Sequence, residues 1–180
     1  MLVNQLLGIL LILFLASCGT KKRTTNVKTK TVTVASDDGT PRSTTRSKKK
    51  DSNRKADYIV EKAMNFAGTP YKYGGNTKLG IDCSGLVHVA LKENNIPFPR
   101  VSYQMANEGK RIKLNKVEKG DLLFFKTSKS GKRINHVGLV VSTKGGEIKF
   151  IHSTSSRGVI VSSLREGYWN HAFIKATRIL

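Results

Sequence analysis

The chain has 180 residues, with 32 Lys and Arg against 12 Asp and Glu and a formal net charge of +20. The surplus is not confined to one end: residues 56–180 hold 20 Lys and Arg against 9 Asp and Glu, an excess of 11. So basic a chain points to polyanionic neighbours, but nucleic acid is disfavoured because the cations are not interleaved with an aromatic stacking pattern and the chain opens on an export-type segment.

Residues 6–15 are apolar apart from Gly8. They are too few to cross the roughly 30 Å hydrocarbon core of a bilayer, and they lead through Ala16 and Ser17 to Cys18. Residues 1–17 therefore read as a cleaved signal, although no Lys or Arg precedes the apolar run. Leu15-Ala16-Ser17-Cys18 resembles a bacterial lipobox. That resemblance implies cleavage before Cys18, lipid attachment to its thiol and membrane association through the lipid. Gly19 in place of Asp implies, by the same resemblance, the outer membrane on its periplasmic side. An ordinary signal peptide with an incidental cysteine is the alternative.

Residues 18–53 form the next unit. From residue 20 to 53 the composition turns to Lys, Arg, Thr, Ser and Asp, with Val27, Val32 and Val34 the only sizeable apolar side chains. Such a segment cannot bury enough apolar surface to offset its chain entropy, so a disordered basic tether is expected. Flexible-coil scaling gives about 35 residues a reach of roughly 30–35 Å.

Residues 54–180 suit one compact domain without repeats. Residues 55–66 place Ala56, Ile59, Val60, Ala63 and Phe66 at helical spacing, with Gly68 as a stop signal. Turn chemistry follows around Pro70, Gly74 and Gly75. Asp82 is positioned to cap a second helix over residues 83–94, and a short third helix is expected over 102–108. Beyond Gly120 the pattern changes to strands at 122–125, 136–141, 148–152, 159–161 and 172–176. Helices first and antiparallel strands after predict an α+β domain. If residues 142–146 form a hairpin loop, Val141 pairs with Glu147 and His136 lies opposite His152. Gly138, Val140, Ile148 and Phe150 then share the face on which the cysteine helix is expected to dock.

The chemistry concentrates in Asp82-Cys83-Ser84-Gly85, Asn135-His136-Val137-Gly138 and Phe150-Ile151-His152-Ser153. A cysteine opening a helix, with two histidines on neighbouring strands, supplies a nucleophile, a base and an orienting group. The positive end of the helix and a nearby imidazolium are expected to favour the thiolate. Other readings remain: a buried structural cysteine, a bridge to Cys18, or a zinc site of Cys83, His136 and His152, which lacks an assigned fourth ligand. Asp82 is read as a helix cap, His88 and His171 as structural or surface residues, and Trp169 as packing at the sheet edge. Neither a metal nor a cofactor is expected.

These blocks are similar to those of the NlpC/P60 family of cell-wall peptidases, with the likeness running from about Ala63 to His152. The resemblance implies a papain-like core, N-terminal helices on a small antiparallel sheet, and hydrolysis of peptidoglycan stem peptides at a bond involving D-glutamate or diaminopimelate. It implies peptidoglycan or muropeptides as partner and a monomer in the cell envelope. Gly68-Thr69-Pro70-Tyr71 resembles the family segment upstream of the nucleophile, which would aim the Tyr71 hydroxyl at the oxyanion; a core tyrosine is the other reading. Ser84 is a candidate substrate contact. Arg100-Val101-Ser102 resembles a segment near the family's cleft, where Arg100 and Ser102 would meet substrate carboxylates. A thiol-dependent amidase and a non-catalytic envelope-binding lipoprotein are the competing functions.

Overall fold

The computed structural model describes residues 43–128, 130–131 and 133–180, with side chains from residue 47. The segment resembling a lipobox and most of the expected tether lie outside these residues. Helix α1 spans Ser43–Met64 and buries Ala56, Ile59, Val60 and Ala63 along one stripe. It begins well before residue 55, so residues 43–53 are helical and not part of a disordered tether. Lys and Arg are good helix formers, and neither Gly nor Pro interrupts the chain between Pro41 and Gly68. The extension therefore follows from propensity without an apolar face.

A two-stranded ribbon, β1 (Asn76–Thr77) and β2 (Gly80–Ile81), leads directly into helix α2 (Cys83–Lys92). Helix α3 covers Ser102–Met105. The main sheet is built from β3 (Lys110–Ile112), β4 (Leu122–Phe125), β5 (His136–Ser142), β6 (Lys149–Thr154), β7 (Gly158–Ser163) and β8 (Phe173–Arg178), with helix α4 (Gly167–Ala172) before the last strand. All its pairings are antiparallel, in the order β3-β8-β4-β5-β6-β7. The α+β architecture is thus observed, with α4, β3 and the ribbon as additions.

The two faces of the sheet carry separate cores. On one, Leu86, Val87, Ala90 and Leu91 of α2 pack with Leu122, Phe124, Val137, Leu139 and Ile151. On the other, Leu123, Phe125, Val140 and Phe150 pack with Trp169 and Leu164. The helix therefore docks on the face opposite Val140 and Phe150, contrary to expectation. Residues 136–140 are buried on both sides, and such a run does not reveal which face a helix will cover.

The β5–β6 register also differs. Leu139 pairs with Ile151 and Val140 with Phe150, after which a bulge shifts the ladder so that Ser142 meets Lys149. Extended back, this register sets His152 opposite Gly138, with His136 two residues further along. The connection contains a tight turn at Lys144–Gly146 with positive φ at Gly145 and Gly146, so Val141 does not face Glu147. A displacement of two residues preserves side-chain parity, and both histidines stay on one face.

Candidate active site

Cys83 opens α2 under a well-made cap. Asp82 is extended, and its Oδ1 accepts from the Gly85 amide at 2.6 Å while its Oδ2 accepts from the Gly74 amide at 2.7 Å. Arg100 donates to both carboxylate oxygens, to Ser84 Oγ at 2.8 Å and to the Gly75 carbonyl at 2.9 Å. Burial pushes the Asp82 carboxyl up, but the Arg100 guanidinium and the two amides outweigh it and hold the group below its usual range. A Cβ at position 85 would collide with the Gly75 carbonyl, so glycine there lets the 72–75 turn close over the first turn of the helix. Asp82 is the helix cap expected. Arg100 is thus paired with the Asp82 carboxylate while it also lines the cleft.

The thiol itself is 9% exposed. Burial raises it from 9.0 to about 11; the Val137 amide opposes this, the Asp82 charge reinforces it, and the Ser84 and Cys83 amides oppose it. The thiol therefore lies against the first residues of β5, one position along the chain from His136, and rests protonated. This corrects the expectation of a stabilised thiolate: loss of hydration outweighs the positive end of the helix.

His136 and His152 are both buried and share a hydrogen bond, Nε2 of His136 to Nδ1 of His152 at 2.9 Å. Burial lowers His136 to about 4. His152 falls to about 3 through burial, then the charges of His136 and Arg157. Both rings are neutral at physiological pH, and Nδ1 is the nitrogen of His136 left for a thiol. Gly138 shares this face, where a Cβ would collide with the ring of Phe150. Among the described residues no hydrogen bond joins Cys83 to either imidazole. The structure shows a buried neutral thiol at the Val137 amide and, from the residue before Val137, a hydrogen-bonded pair of neutral imidazoles.

A cleft of about 510 Å³ opens at the thiol, lined by Tyr71, Asp82, Cys83, Ser84, Arg100 and Ser102 among others. Tyr71 bridges to Ile81, which fixes it alongside the approach to Cys83. Burial raises its phenol, followed by the charges of Cys83, Asp82 and Tyr73. Ser102 is buried at the start of α3.

Residues 68–178 match the model of the NlpC/P60 family. The chain belongs to that family. It is 40% identical over 122 residues to the probable endopeptidase NlpC of Escherichia coli (strain K12), covering 67% of this chain and 76% of that protein. It is 35% identical over 123 residues to the murein DD-endopeptidase MepS/murein LD-carboxypeptidase of the same organism, covering 68% of this chain and 62% of the relative. Among solved structures, an NlpC/P60 family protein from Bacillus cereus ATCC 10987 superposes with a TM-score of 0.63 at 29% identity, over 69% of this chain and 40% of that one.

Within this NlpC/P60 domain the structure brings Cys83, Ser84, Tyr71, Arg100 and Ser102 to one cleft, and joins His136 to His152 on the strands beside it. Cys18 lies outside the described residues. His88 is structural, its Nδ1 at 3.0 Å from the Phe98 carbonyl, and His171 is exposed. Three further residues belong to the site, two of them inside the quoted blocks but given no role there. Ser153 donates to the Ile81 carbonyl at 2.7 Å, tying β6 to the approach to Cys83. Asn135 accepts from the Thr127 amide at 2.8 Å and fixes the entry to His136. Trp169 is not at the sheet edge: it lies over the inner strands β5 and β6, against both histidines. Only the alternation of Trp169 with buried Ala172 on a short helical stretch hints at it.

Proposed function

We propose that this NlpC/P60 chain is a lipid-anchored cysteine endopeptidase that hydrolyses peptidoglycan stem peptides, with Cys83 as nucleophile, His136 as base and His152 as its orienting partner. The observation that carries the reading is the hydrogen bond between neutral His136, which opens β5 beside the Val137 amide that meets the Cys83 thiol, and neutral His152 on β6. Endopeptidase activity accords with the family and with the relatives of 35% and 40% identity, which are named for it.

Because thiol and imidazole rest neutral, the proton moves as the bond forms. His136 Nδ1 takes the thiol proton while sulfur attacks the scissile carbonyl, so the imidazolium forms only as the new bond does. The developing imidazolium donates from Nε2 to His152 Nδ1, which holds the ring in place. The Cys83 amide and the Tyr71 hydroxyl serve the oxyanion. His136 then gives its proton to the leaving amine, which departs as the thioester forms. In the second half His136 takes a proton from water, the hydroxide attacks the thioester, and the thiol is restored. Asp82 and Arg100 act by holding the helix start and the walls of the cleft, with Ser84 and Ser102 facing substrate.

The bond assigned to this activity involves D-glutamate or diaminopimelate. Digestion of purified sacculi with the full chain, read by product mass, tests it: cleavage inside the stem peptide is expected, whereas release of intact peptide from glycan would make the chain an amidase. Residues 1–17 are assigned as the signal and Cys18 as the acylated residue, anchored in the outer membrane and followed by a basic segment leading to α1. Cys18→Ser is expected to move the protein from membranes to the soluble envelope fraction, and unchanged membrane association would reject the anchor.

A further inference from the structure

One aromatic side chain touches both members of the histidine pair. Trp169 is 5% exposed, and its ring lies 5.1 Å from that of His136 with the planes 24° apart. The same indole lies 4.5 Å from the ring of His152 at 78°. His136 and His152 are themselves perpendicular. Phe150 approaches His152 at 4.7 Å, and Phe125 approaches His136 at 5.8 Å. Helix α4 delivers Trp169 to this position, and Tyr168 braces it from outside at 4.8 Å.

The box has an unpaired member. His152 is fully buried and its Nδ1 is engaged by His136, but its Nε2 has no hydrogen-bond partner. A neutral imidazole carries one N–H and one lone pair, so two arrangements are available. With the proton on Nδ1, the Nε2 lone pair would be buried among ring electrons with no donor, an uncompensated acceptor. With the proton on Nε2, the N–H can be met by a ring face, a weak acceptor, and the near-perpendicular contact with Trp169 has the angle for it. The second arrangement leaves Nδ1 of His152 to accept from His136 Nε2–H.

We propose that Trp169 is a positioning residue for the pair: it stacks on His136 and accepts the Nε2–H edge of His152, so that His136 is protonated on Nε2 and its Nδ1 is free for the Cys83 proton. The aromatic box thus selects the tautomer that can act as a base. This inference rests on the reading of His136 as the base. Trp169 acts through the two imidazoles, not on substrate.

Ring-nitrogen chemical shifts of 15N-labelled full-length protein test the tautomer directly. In the wild type, His152 is expected protonated on Nε2 and unprotonated on Nδ1. In Trp169→Leu the two forms should mix, with kcat on a purified muropeptide falling on the order of tenfold and KM within about twofold, as for groups that orient a catalytic ligand. Trp169→Phe should restore most of both, since a ring face is retained. Protonation of wild-type His152 on Nδ1 overturns the proposal. So does a folded Trp169→Leu that keeps both its tautomer and its kcat. Should Trp169→Leu fail to fold, the wild-type spectrum and Trp169→Phe still decide. Substantial activity in His136→Ala would instead overturn the assignment of the base, and the wild-type spectrum would remain a separate result.

Discussion

Alkylation of Cys83 reports the resting charge state of the catalytic pair. Iodoacetamide reacts with thiolate, and the Cys83 thiol is pushed from 9.0 to about 11. At pH 7 its thiolate fraction is then roughly 100-fold below that of an unperturbed cysteine, and its 9% exposure slows access further. The full chain has two cysteines, so Cys18→Ser leaves Cys83 as the single target. Pseudo-first-order rates by intact mass should rise about tenfold per pH unit from pH 6 to 9 without a plateau. Adding His136→Ala should change the rate at pH 7 by no more than a few-fold, because a neutral imidazole does not hold a thiolate. A fast rate, flat from pH 5 upward and abolished by His136→Ala, would refute the reasoning: it would mean that thiolate and imidazolium coexist at rest.

On a purified muropeptide, His136→Ala should lose nearly as much kcat as removal of the nucleophile, since it deletes the proton acceptor and the donor to the leaving amine. His152→Ala should cost on the order of 10- to 100-fold, with partial recovery in His152→Asn, which can still accept from His136 Nε2; the opposite ranking would reverse the roles. Stability should fall with acid in the window set by the two buried rings. The unfolded chain binds protons near pH 6.5, whereas folded His136 and His152 resist them until about pH 4 and 3, so stability is full above 6.5 and declines below it. At pH 5.5 the loss is about 1.4 kcal/mol per histidine. Denaturant midpoints unchanged between pH 7 and 5.5 would contradict burial of both as neutral groups.

Much of this site can be read from residue order because its parts are local. Asp82 ahead of Cys83 is a cap by residue type and position, and the structure makes it one through Gly85. His136 and His152 share a face because strand parity survives a two-residue error in register. What the residues do not specify depends on contacts distant in sequence. The bulge beside Val140 and the glycine turn after Thr143 decide the actual pairing. The run 136–140 is apolar on both sides apart from its histidine, so the choice of face for α2 is made by the whole core. Strand β3, Lys-Arg-Ile, reads as polar chain and becomes a strand by pairing with β8. Arg100 and Asp82 are separated by 18 residues, and their ion pair depends on the fold. The same is true of Trp169, whose place over the histidines requires α4 to turn back across the sheet.

Turnover of a purified, cross-linked muropeptide by Cys83→Ala, compared with wild type by product mass, bears on the whole reading at once. The variant removes one buried sulfur, adds no bulk, and leaves the Asp82 cap and the histidine pair intact. Cleavage by the wild type and none by a folded Cys83→Ala is the result expected. Cleavage at a comparable rate by the variant, from a preparation free of contaminating hydrolase, would contradict catalysis by this cysteine.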